Sequence, residues 1–103
     1  MLSLHDPDLF RMQCPIGGHW QDALDGTTIA VTDPATGLIL GTVPAMGTAE
    51  TRAAVQAAEA ALPGWRARTA KERATLLRRW HALLIENQED LALLMTAEQG
   101  KPL

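Results

Sequence analysis

Few side chains in this chain could do chemistry. The one thiol, Cys14, would become a nucleophile only where a base, a cation or a helix N-terminus lowers its pKa. It stands before Pro15 in a strand-like run with no His or Lys as an immediate neighbour, so it reads as a structural cysteine. His5, His19 and His81 lack the i, i+4 spacing that puts two metal ligands on one helix face. Glu89-Asp90, the closest approach to a carboxylate pair, reads as negative charge in the first turn of a helix. The glycines at 17, 18, 26, 37, 41 and 47 form neither a phosphate loop ending in Lys-Ser/Thr nor a G-x-G-x-x-G opening a helix. Six of the nine basic residues (Arg66, Arg68, Lys71, Arg73, Arg78 and Arg79) crowd into one window with a single acid, Glu72. They point in different directions around a helix and carry no interleaved aromatics for base stacking, so a solvated or subunit-facing surface is expected and nucleic acid is not.

The elements that would position these groups are modest. A chain of 103 residues, 47% hydrophobic with net charge −3, reads as one small, mildly acidic soluble domain or a piece of one. No apolar run approaches the ~18 residues of a membrane helix. The opening MLSLHDPDLF lacks the basic and then apolar layout of a signal peptide, so a cytoplasmic protein without membrane partners is expected. A lone cysteine excludes an intrachain disulfide.

Ser3 to Met12 reads as a short helix capped by Asp6 with Pro7 at its first position, Leu9, Phe10 and Met12 tacking it onto a neighbour. Pro15 to Trp20 reads as a short strand weakened by Gly17-Gly18, a pair that also suggests a turn or a close backbone approach. Thr27–Thr32 and Leu38–Val43, joined by Asp33-Pro34-Ala35-Thr36-Gly37, predict an antiparallel hairpin. After Gly47 the period changes to 3.6. A first helix capped by Thr48 should end or kink near Leu62 at Pro63-Gly64. Its apolar stripe is Val55, Ala58, Leu62 and Trp65, set among alanines.

A second helix follows Thr69, whose spacing to Glu72 is that of a capping box, with Leu76, Leu77, Trp80, Leu83 and Leu84 inward. Asn87 to Asp90 resembles a fresh cap for a third helix that carries Leu91, Leu94 and Met95 inward and closes at Gly100 before Pro102. Leu93, off that stripe, suggests burial on a second side. The fold class is therefore α+β: a short helix, a ribbon and three amphipathic helices, with units at 1–47 and 48–103. Nothing later in the chain pairs with the ribbon, and an isolated two-stranded ribbon is marginal in water.

Four blocks in order carry a resemblance: IGGHW, VTDPATGLILGTVPAMG, ETRAAVQAAEAALPGWRARTAKERATLLRRW and LMTAEQGKPL. Together they resemble the N-terminal segment of the aldehyde dehydrogenase superfamily, over essentially the whole chain. The wording is similar to bacterial NAD(P)-dependent succinate-semialdehyde dehydrogenases. The resemblance implies that the chain is the N-terminal part of the cofactor-binding domain of a longer α/β enzyme, inactive alone. The remainder of that chain would be its partner, the whole a homo-oligomer using NAD or NADP. It also implies a cysteine thiolate, a glutamate, an oxyanion asparagine and a cofactor loop beyond Leu103. Cys14 does not match the nucleophile motif, and Gly17 replaces the family's usual Asn in its I-N-G-x-W block. Carried over residue by residue, a monovalent cation would be held by backbone oxygens of Val31 and Thr32 and by the Glu98 carboxylate, oxygen donors that suit a hard ion. An alternative from another class is a stand-alone interaction or oligomerisation module, binding through the alanine-rich helix and the ribbon edge.

Overall fold

The structure, a computed structural model, describes residues 2–103. A single 3-10 turn, Pro7–Leu9, stands where a helix from Ser3 to Met12 was expected. Asp6 caps it as expected, its Oδ1 accepting the Asp8 N–H at 3.0 Å. Phe10, in an extended conformation, stops it after three residues.

The expected single strand over 15–20 is instead a hairpin, β1 (Cys14–Ile16) with β2 (His19–Gln21). Gly17 and Gly18 take φ of 60° and 82°, and two consecutive positive φ values make the tight turn whose twist matches the flanking strands. Arg11 lies over the Trp20 ring, its guanidinium carbon 4.6 Å from the centroid. The second hairpin has the expected form: β3 (Thr28–Thr32) pairs antiparallel with β4 (Ile39–Pro44). Val31 faces Gly41 while Thr32 faces Ile39, so Leu40 is the extra residue of a bulge. Its turn is held by the Asp33 carboxylate, which accepts the Ala35 N–H at 2.8 Å, and by the Gly37 N–H, which donates to the Asp33 carbonyl at 2.7 Å.

Helix α1 spans Thr48–Ala67, so it runs through Pro63 rather than ending near Leu62. A proline removes one i to i−4 hydrogen bond, but its own φ is helical and the residues after it can stay so. The N-cap is Gly47, one residue before the expected Thr48. Having no side chain, Gly47 supplies half a capping box only, its N–H donating to the Glu50 carboxylate at 3.2 Å. Helix α2 (Ala70–Glu86) opens with the full box: the Glu72 N–H donates to Thr69 Oγ1 at 3.2 Å, and the Thr69 N–H to Glu72 Oε2 at 2.8 Å. Helix α3 (Gln88–Gln99) closes on Gly100 at φ 81°. Asn87 precedes α3 without capping it by its side chain, whose Nδ2 donates back to the Leu83 carbonyl at 2.9 Å.

The two hairpins are separate two-stranded sheets. The principal contacts between other elements are α1 with β1 and α2 with α3, so the helices do not close into a bundle. Only Ala23, Pro44 and Asp90 are buried among the described residues. The five residues of α2 expected inward, from Leu76 to Leu84, are 41% to 63% exposed. Val55, Leu62 and Met95 are exposed as well, whereas Leu91 to Leu94 are half-buried, Leu93 included. The apolar stripes are present, but no second surface covers them. Among the described residues no helix is long and apolar enough to cross a membrane.

Candidate functional site

The expected cation ligands lie on two elements. Val31, half-buried, and Thr32, exposed, end β3 at the bulge, and Glu98 is exposed in the last turn of α3. The end of α3 meets the hairpin turn closely. A Cβ placed on Gly100 would lie 3.1 Å from Pro34 Cγ, and Pro34 is two residues after Thr32. The left-handed Gly100, its N–H donating to the Thr96 carbonyl at 2.8 Å, therefore both ends the helix and permits the approach. Pro34 and Gly100, more than sixty residues apart in sequence, are thus neighbours in space, which brings the turn after Thr32 close to the helix end that carries Glu98. Backbone carbonyls and a carboxylate are oxygen donors of the kind a hard monovalent ion takes. No group of three His, Cys, Asp or Glu side chains among the described residues is placed to hold a metal.

The remaining candidates stay apart. Cys14 is half-buried and unbonded to another sulfur. Arg73, in the basic window, is half-buried with its Nε enclosed and without an acceptor. Among the described residues no Lys or Arg pairs with a carboxylate, and His5 Nδ1 lies 3.3 Å from Asp90 Oδ1.

Asp90 is the residue that sequence reasoning missed. Expected as first-turn charge, it is 2% exposed, and its two oxygens accept the backbone N–H groups of His5 at 2.9 Å and Asp6 at 2.8 Å. The Asp6 amide first and the His5 amide second hold its carboxyl below the ordinary 3.8, with burial opposing them and the His5 side chain adding a smaller pull. Its partners are 85 and 84 residues away in sequence, so no local pattern announces the contact. Asp25 is lowered too, by the Thr27 N–H first and then the Thr27 hydroxyl, which donate to Oδ1 at 3.0 and 2.7 Å. It is exposed and belongs to a turn.

Comparison with known proteins follows the same lines. Residues 20–103 match the aldehyde dehydrogenase family model, and the chain belongs to that family. It is 65% identical over 102 residues to glutarate-semialdehyde dehydrogenase of Pseudomonas putida, covering 99% of this chain and 21% of that protein. It is 61% identical over 102 residues to the NADP(+) succinate-semialdehyde dehydrogenase of Escherichia coli, with the same two coverages. Among solved structures, an aldehyde dehydrogenase from Brucella melitensis biovar abortus superposes with a TM-score of 0.96 at 55% identity, over 99% of this chain and 21% of that one. The chain thus spans about one fifth of the length of the curated relatives it matches. The α+β arrangement is that of the corresponding part of the aldehyde dehydrogenase fold.

Proposed function

We propose that this chain is the N-terminal part of the cofactor-binding domain of an NAD(P)-dependent semialdehyde dehydrogenase, with 1–47 as its turn and ribbons and 48–103 as its helices. The observation that carries the reading is the 65% identity to a semialdehyde dehydrogenase over 99% of the chain. The uncovered stripes on α1 and α2 support a second point, that the remainder of the enzyme is their partner. In the whole enzyme a nicotinamide cofactor would supply the hydride acceptor, and a cysteine thiolate and a general base for water would supply the nucleophile and the release of the acid. The reacting groups belong to residues beyond Leu103, so the 103-residue chain alone turns nothing over. The whole enzyme is read as a cytoplasmic homo-oligomer.

Succinate semialdehyde is the substrate of the first reading. Glutarate semialdehyde is the second, favoured by the 65% and 63% identities to two glutarate-semialdehyde dehydrogenases against 61% to the succinate enzyme. The two differ by one methylene, so kcat/KM for each, with NAD and with NADP, decides between them in the complete protein. Absence of turnover with both would overturn the enzyme reading. Cooperative, monomeric folding of residues 1–103 would weaken the partner reading, and a stable dimer of that chain would favour the interaction module instead.

A monovalent cation bound by the Val31 and Thr32 carbonyls and Glu98 is part of the same proposal. Potassium or sodium should raise the melting temperature of the complete protein relative to tetramethylammonium at equal ionic strength, and Glu98→Gln should remove the difference. Equal melting of the native protein in all three salts would refute the site.

A further inference from the structure

We propose that residues 2–12 form a clasp that fixes the β3–β4 hairpin against α3, fastened at Asp90 on one side and at Gly41 on the other. The first fastening is the buried Asp90 carboxylate in the first turn of α3, which takes the N–H groups of two consecutive residues, His5 and Asp6. A carboxylate gripping adjacent amides fixes the direction of the segment as well as its position. The second fastening is steric. A Cβ at Gly41 of β4 would lie 2.8 Å from Phe10 Cζ, 3.0 Å from Phe10 Cε1 and 3.3 Å from Met12 Sδ, so Phe10 sits in the space that any larger residue would fill. Glycine at 41 is needed for this close approach and not for its conformation, since its φ is not among the positive ones.

Between the two fastenings lies a cavity of about 830 Å³, lined by Leu4, Pro7 and Phe10 of the clasp, Leu38 and Leu40 of the hairpin, and Ala97 of α3. Hairpin and helix stand apart along it, so the clasp is a further tie between them beside the direct Gly100–Pro34 approach. A two-stranded ribbon is marginal by itself, so its order depends on what holds it. The inference goes beyond the proposed function and is independent of any bound cation.

Hydrogen exchange in the complete natural protein tests it, comparing peptides from the hairpin (28–44) with peptides from α1. Asp90→Asn turns one acceptor into a donor facing a backbone N–H, and Gly41→Val fills the Phe10 seat. Each is expected to speed hairpin exchange about tenfold while α1 is unchanged, and the exposed neighbour change Glu89→Gln is expected to behave as native. If either variant does not fold, Gly41→Ala gives the milder test, with faster exchange at the hairpin still expected. Loss of protection at residues 5–6 with unaltered hairpin exchange would show a merely local contact and overturn the clasp. So would equal acceleration at the hairpin and α1.

Discussion

Isolating residues 1–103 removes whatever covers the exposed stripes, and its outcome can be estimated from area. A compact monomer of 11.1 kDa exposes about 5,700 Å². This conformation exposes 8150 Å², and its radius of gyration is 16.6 Å. A compact chain of this length has a radius of gyration of about 13 Å. The excess surface is roughly 2,500 Å², somewhat more than half of it apolar by the usual share, which at ~25 cal/mol per Å² leaves about 35 kcal/mol of burial unmade. A domain's whole net stability is about 5–15 kcal/mol. The isolated chain is therefore expected to lack a cooperative transition. Calorimetry should show a broad, featureless trace, near-UV circular dichroism should show unordered Trp20, Trp65 and Trp80, and far-UV should show fractional helix. A reversible, monomeric two-state melt with an enthalpy near the ~70 kcal/mol typical of 100 ordered residues would refute the reasoning.

Three further outcomes are expected in the complete protein. Thr69→Ala should remove the accepting half of the capping box and cost about 1 kcal/mol in denaturant unfolding, and Thr69→Ser should restore most of it. Pro63→Ala should stabilise by about 2–2.6 kcal/mol, the ~3 kcal/mol helix penalty less the ~0.4–1 kcal/mol of freedom regained by the unfolded chain; a lower melting temperature would show that the proline's shape is needed. Because the Asp90 carboxyl is lowered below 3.8, its stabilisation is fully present above that value and is lost as pH falls through the lower folded value. Asp90→Asn should therefore flatten the acid limb of the melting profile, and an unchanged limb would count against the contact.

Local chemistry was readable from the sequence alone. The Thr69–Glu72 box, the Asp6 cap, the Gly100 stop and the 33–37 turn each depend on groups within a few residues of one another, and each was found where the spacing placed it. The four-block family pattern was equally legible. The turn that Gly17-Gly18 suggests is present, but two positive φ values there convert the one expected strand into two, and α1 does not end at Pro63 because a proline inside a helix need not stop it. Asp90, Gly41 and the Gly100–Pro34 approach were beyond sequence reasoning, since each gains its meaning from a neighbour far along the chain. The same holds for the stripes of α1 and α2. Periodicity determined which residues are apolar and which way they face, but whether that face is buried is decided by a second surface, and only tertiary structure supplies or withholds one.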